Sequence, residues 1–254
     1  MGGIFCWKVI PMVAVSKKQT QDGPKSAAHW NRRLYLPAYR FGEAARLADT
    51  TPQTLARWFR GYEAPGHRMK PVLPSDGHPL LSYLQLIEAA FVADFRKLGL
   101  KLDVLRRARA YCAKTLGSEY PFAELDFRTD GAHLFATIAE HEDESSAEQR
   151  LIVADVGGQV AWGAAIQERL DQFDYEQGLA LRWYPRGRNS GILIDPRIAF
   201  GAPIIGDTGV PTWVIRDRYE AGEDLAEIEE DFGVPRVLLR EALTFENVEL
   251  PTAA

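Results

Sequence analysis

The sequence predicts a mainly helical chain with short strands, an α+β fold with a helix-turn-helix near the front and a small three-helix segment at the rear. Three observations predict it. Residues 41–61 show helical spacing of small and apolar residues broken by a capped turn, and Asp195–Leu243 strings a proline-gated loop onto three short helical runs. The third is charge. Residues 1–117 carry 19 Lys and Arg against 8 Asp and Glu, whereas residues 118–254 carry 11 against 27. A basic half attracts a polyanion by Coulombic attraction and counterion release, and an acidic half is repelled by it.

At 254 residues and 46% hydrophobic content the chain can build two ordinary cores. Four segments are expected. Residues 1–33 form a flexible extension, because MGGIFCWKVIPMVAV is followed by a polar, breaker-rich stretch. Lys8 and Pro11 interrupt the apolar opening, which is too short to span a bilayer and has no basic leader. Residues 34–140 form the basic unit, 141–190 a charged connector with a linking helix or strand, and 191–250 a helical unit. Cys6 and Cys112 are too few for a disulfide framework, which makes a reducing cytoplasm the expected compartment.

In the basic unit, Phe41, Ala44, Ala45 and Ala48 predict a short helix ending near Asp49. Thr51 supplies an N-cap oxygen and Pro52 takes the first helical position, where its missing N–H costs nothing. Leu55, Trp58 and Phe59 face inward, and Gly61 ends the helix. The outer face then carries Gln53, Thr54, Arg57 and Arg60. Arg pairs bidentately with guanine O6 and N7, and Gln with adenine N6 and N7, so this face suits a major groove. Arg40, Thr51 and Thr54 are candidate phosphate or base contacts, and Arg68 and Lys70 fall on a Gly- and Pro-rich segment suited to a wing. Ser82 and Gln85 predict a capping box for a longer helix ending at Gly99, with Leu84, Ile87, Phe91, Phe95 and Leu98 inward. A further helix runs to Gly117.

From about Leu34 to Ala139 these features resemble the MerR-like winged helix-turn-helix domain, in the version found at the front of some VapB-type antitoxins. The matching residues are GEAARLADTTPQTLARWFRGY, the basic wing, LSYLQLIEAAFVADFRKLGLKLDVLRRA and FRTDGAHLF. The long dimerisation helix and effector region of MerR regulators are not obvious after it.

Leu125–Phe127 and His133–Ala139 predict a hairpin or two short strands about Asp130-Gly131, and the charged EHEDESSAEQ marks a domain boundary. Val160, Ala164, Leu170 and Phe173 predict a connecting helix, and LALRWYP and GILIDP two strands. Helices follow from Pro211 through Tyr219, over LAEIEEDFG and from Pro235. The last pair has helix-turn-helix geometry, but its outer face carries Glu227, Glu229, Glu230, Asp231 and Glu241, too acidic for a second DNA reader. IDPRIAFGAPIIGDTGVPTWVIRDRYEAGEDLAEIEEDFGVP is similar to a bacterial domain family of unassigned function that recurs in toxin–antitoxin operons. Thr208-Gly209 stands where that family usually has Thr-Arg.

The two resemblances imply a VapB-type antitoxin that dimerises, represses its own promoter and neutralises a PIN-like ribonuclease. Such a toxin holds a divalent metal with carboxylates, and an inserted arginine can compete with that metal or with RNA phosphate. Arg182, Arg186 and Arg188 are the candidate toxin contacts, against the alternative that they pair internally with acids such as Asp195 or Glu176. Two other readings stand beside this one. One is a stand-alone MerR-like regulator whose rear unit dimerises or senses a ligand. The other is a nuclease using Asp195, Asp207 and Asp217, which have no spacing signature. The five histidines show no metal-ligand spacing and GAPIIGDTG lacks the Lys-Ser/Thr of a phosphate loop, so neither catalysis, a metal nor a cofactor is expected.

Overall fold

The computed structural model of the chain describes residues 28–64, 66–124 and 167–250. The hairpin or strands expected after residue 124, the acidic boundary and the part of the connecting helix holding Val160 and Ala164 lie outside the described residues. Helix α1 (Ala28–Tyr35) precedes a strand β1 (Tyr39–Arg40), which runs directly into α2 (Phe41–Leu47). Helix α3 (Pro52–Arg60) follows a short turn, and β2 (Tyr62–Ala64) and β3 (His67–Met69) then form an antiparallel hairpin. Strand β4 (Leu80–Leu81) returns to pair with β1, and leads into α4 (Tyr83–Lys97) and α5 (Leu102–Leu116).

Helix α4 is the axis of this front portion. Ser82 and Gln85 make the reciprocal capping box that the sequence predicts: the Gln85 N–H donates to the Ser82 hydroxyl at 3.2 Å, and the Ser82 N–H to Gln85 Oε1 at 2.9 Å. Every residue from Tyr83 to Ala93 is buried, so this helix is enclosed on all sides rather than amphipathic. That includes Glu88. Its carboxylate accepts from Arg109 Nε at 2.5 Å and from the Phe122 N–H at 2.8 Å. Burial raises the Glu88 carboxyl above its ordinary value, with Arg109 opposing.

The rear portion opens on a four-stranded antiparallel meander, β5 (Phe173–Glu176), β6 (Leu179–Trp183), β7 (Ile192–Ile194) and β8 (Pro203–Ile205). Gln177 (φ 52°) and Gly178 (φ 81°) form the two-residue β5–β6 turn, left-handed at both positions as a tight hairpin requires. Helices α6 (Thr212–Glu220), α7 (Leu225–Phe232) and α8 (Arg236–Phe245) follow, with α6 and α8 packed together and against β8. Asp224 caps α7 through its own capping box, and Gly233 (φ 62°) makes the turn into α8.

Mainly helical with short strands, the fold is that expected, but three details differ. Residues 28–35 are helical and Leu34 is fully buried, so ordered structure begins ahead of the boundary drawn at residue 33. The connecting helix stops before Phe173, which starts β5 instead. Leu170 and Phe173 fit helical spacing, but Phe173 and Tyr175 also share one face of a strand, and pairing with β6 decides between them. Strand β8 was hidden because Pro203–Ile205 is three residues long between breakers. The boundary drawn at 190 therefore falls between β6 and β7 of one sheet.

The two portions share one core. Phe91 of α4 lies 5.5 Å from Phe122 and stacks on Phe173 at 5.8 Å, and Phe173 in turn stacks on Trp183 at 5.8 Å. At a second point the fully buried Tyr39 hydroxyl donates to the Gly201 carbonyl at 2.9 Å. Gly201 has φ 81°, and a Cβ there would sit 2.3 Å from that hydroxyl. Glycine is required for the rear portion to come this close.

Candidate nucleic-acid interface

Helix α3 starts where the sequence places it. The Thr51 hydroxyl accepts from the Thr54 N–H at 3.2 Å and donates to the Thr54 hydroxyl at 2.8 Å. Both hydroxyls are thus engaged in the cap, so Thr51 and Thr54 shape the helix start more than they offer a free contact. Leu55, Trp58 and Phe59 are buried, and this inner face turns Gln53, Arg57 and Arg60 into solvent.

Both arginines are pre-positioned by aromatic rings. Arg57 lies over Tyr62 at 5.4 Å and Arg60 over Phe41 at 4.9 Å. A guanidinium stacked on a ring keeps its N–H edges free for a planar acceptor and has less side-chain entropy left to lose. The hairpin is fixed against this helix. Gly61 (φ 72°) allows the chain to fold back so tightly that a Cβ would lie 2.3 Å from the Met69 carbonyl. The Val72 and Leu73 N–H groups donate to the Trp58 carbonyl at 2.8 and 3.0 Å. Arg106 of α5 donates to the Lys70 and Pro71 carbonyls at 2.7 and 3.0 Å. Arg68 and Lys70 are exposed on this hairpin and its exit, and Arg40 is exposed at the start of α2. Among the described residues none of Arg40, Arg57, Arg60, Arg68 and Lys70 is ion-paired. The arrangement is a row of exposed cations on a braced frame, with Glu63 across the hairpin from Arg68 and Glu43 near Arg40 as its acidic neighbours.

The three rear arginines are not equivalent. Arg182 on β6 donates to Asp195 at 3.2 Å and lies 3.4 Å from Asp207. Asp195 is fully buried, and it also accepts from the Arg197 guanidinium at 2.7 Å and the Arg197 N–H at 2.9 Å. Burial alone would raise its carboxyl, but the donors of Arg197 and Arg182 hold it below the ordinary value. Arg188 donates to the Asp171 and Phe173 carbonyls at 2.8 and 2.9 Å and pairs with Asp174 at 2.7 Å. Both are internal braces. Asp217 pairs instead with its neighbour Arg216 at 2.6 Å, and among the described residues no three His, Cys, Asp or Glu side chains converge on a metal-sized site.

Arg186 stands apart. It is exposed, and its guanidinium lies 5.1 Å from the centre of the Phe245 ring, which Arg46 of α2 also approaches at 5.2 Å. Between the two portions runs a cleft of about 400 Å³, lined by Arg46, Asp49 and Thr50 of the front and by Arg186, Phe245 and Asn247 of the rear. Sequence reasoning did not find Arg46 or Phe245. They meet across 199 positions through an Arg46 guanidinium bond to the Phe245 carbonyl at 3.1 Å, and no local pattern announces that.

Residues 192–245 match a family described only as a protein of unknown function, DUF433. The chain is 27% identical over 226 residues to a Mycobacterium tuberculosis protein named "Putative antitoxin VapB45", covering 83% of this chain and 94% of that one. The crystal structure of Rv2018 from Mycobacterium tuberculosis has the same fold, with a TM-score of 0.64 at 24% identity over 83% of this chain and 99% of that one. No helix among the described residues is long and apolar enough to cross a membrane. The front and rear portions are thus similar as a unit to an antitoxin-named protein, and the rear segment matches a family without an assigned activity.

Proposed function

We propose that the protein is a VapB-type antitoxin that binds its own promoter as a repressor and neutralises a PIN-like ribonuclease encoded beside it. The observation that carries this reading is the outer face of α3, where Gln53, Arg57 and Arg60 stand exposed and the two arginines are braced on aromatic rings without an acidic partner. The geometry of a turn, a capped second helix and a hairpin suits a recognition helix in the major groove, with Arg68 and Lys70 of the wing and Arg40 of α2 on flanking phosphates. The name of the full-length relative supports the toxin partner. A two-fold operator needs paired reading heads, so a homodimer is the DNA-binding species.

The rear portion is the toxin-gripping end in this reading. Arg182 and Arg188 brace their own sheet, so the exposed carboxylates of α7 and α8, Glu227, Glu230 and Glu241, are the better candidates for that grip. An acidic face complements a basic RNA-binding surface and stays clear of phosphate.

The test is a titration of the full chain with the duplex upstream of its gene. Arg57→Ala combined with Arg60→Ala should cost roughly 1–3 kcal/mol for each lost base pairing and relax sequence preference. Ribonuclease inhibition by the same variant should be unchanged. Operator affinity equal to that of the unaltered chain would refute α3 as the reader.

A further inference from the structure

We propose that Arg186, although it belongs to the acidic rear portion, contacts a DNA backbone phosphate beside the α2–α3 turn, so that both portions hold the duplex. This rests on the reading of α3 as the recognition helix. Thr50, which lines the same cleft as Arg186, is two residues before Pro52, the first residue of α3. Consecutive Cα atoms are about 3.8 Å apart, so the Thr50 edge of the cleft lies within about 8 Å of the start of the reading helix.

The charges of the cleft single out Arg186. Arg46 is 3.6 Å from Glu246, and Asp49 is 2.5 Å from Lys97. Each of those charges is met by an opposite one. Arg186 has neither a hydrogen bond nor an ion pair among the described residues; it acts on Asp49 across the cleft only at longer range, where Lys97 chiefly and Arg186 more weakly hold that carboxyl below its ordinary value. Its guanidinium lies over the face of Phe245, which orients it while leaving its N–H edges without a hydrogen-bond partner among the described residues. A planar fork held in this way suits two oxygens of a phosphate. A carboxylate of a protein partner has similar chemistry, but the position at the entrance to α3 favours the sugar-phosphate chain.

The experiment measures operator affinity of the full chain over a range of salt concentrations. Arg186→Gln removes the charge and nearly keeps the length, and its melting temperature reports that it folds. Losing one phosphate contact should lower the slope of log affinity against log salt by about one and weaken binding at low salt. Arg186→Lys should keep the slope. If Arg186→Gln leaves the slope unchanged while Arg57→Ala with Arg60→Ala weakens binding, the inference falls and the reading of α3 stands. If Arg186→Gln keeps the slope but loses ribonuclease inhibition, Arg186 belongs to the toxin interface and the inference also falls. If the unaltered chain ignores the duplex, both fall together.

Discussion

At the scale of single residues, the most demanding position is Gly201. Ala199, Phe200 and Gly201 take three successive positive φ values, 47°, 56° and 81°, and leave Phe200 86% exposed. This turn presents the Gly201 carbonyl to Tyr39. Gly201→Ala must move the Tyr39 hydroxyl and hold a side chain at positive φ, so a loss of about 1–3 kcal/mol is expected in urea unfolding. Tyr39→Phe removes the obstacle along with the hydrogen bond, so the double variant should lose less than the sum of the two singles. Additivity within about 0.5 kcal/mol would show that the two sites do not meet as described. Asp195 gives a pH prediction at the same scale. Its carboxyl is held below the ordinary value in the folded chain, so its contribution is present above the ordinary carboxylate range and is lost as pH falls through the depressed folded value. Asp195→Asn should therefore flatten the acid limb of a stability–pH curve, and an unchanged limb would remove Asp195 from the cause of acid unfolding.

At the scale of elements, caps and one buried pair decide more than propensity. Thr51→Ala deletes the bond that starts α3 and should cost about 1 kcal/mol, weakening operator binding through the helix rather than through a lost contact. Glu88→Ala is the severe case in α4. It leaves the Arg109 guanidinium with the Glu119 carbonyl but no carboxylate, and the Phe122 N–H without its acceptor, and about 3–5 kcal/mol of stability should be lost in denaturant titration. Replacing Glu88 and Arg109 together by apolar residues should cost much less; equal losses would mean that the pair itself stabilises α4. The same contrast explains what was legible in the sequence. Starts of α3 and α4 were readable because Thr51-Pro52 and Ser82–Gln85 are local chemistry, whereas α7 was readable from the run LAEIEEDFG and not from its Asp224–Glu227 cap. Strands β5 and β8 were not, because Phe173–Glu176 and Pro203–Ile205 become strands only through neighbours that pair with them. At the candidate interface Arg57 and Arg60 were legible from helical spacing, whereas the internal engagement of Arg182 and Arg188 depends on partners brought by the sheet.

At the scale of the whole molecule, the opposed charges of the two portions suggest two independent bodies, but the packing argues for one. Phe91, Phe173 and Trp183 form a continuous stack from α4 into the rear sheet, and Arg169 pairs with Asp94 across the same junction. The acidic portion also neutralises much of its own charge: Asp174 pairs with Arg188, Glu229 with Arg236 and Asp231 with Arg218. Its proximity to the proposed DNA-binding surface is therefore less repulsive than its composition implies. Shared packing predicts that the two portions unfold together. Trp58 is buried in the front portion and Trp183 in the rear. Single-tryptophan versions of the chain retaining either one should report the same unfolding midpoint, as an all-or-none transition requires. Phe173→Ala opens the middle of the stack and should cost about 3–5 kcal/mol, lowering both midpoints equally and taking operator binding with them. Two separate midpoints, with only the Trp183 signal shifted by Phe173→Ala, would establish that the reading head stands without the rear portion.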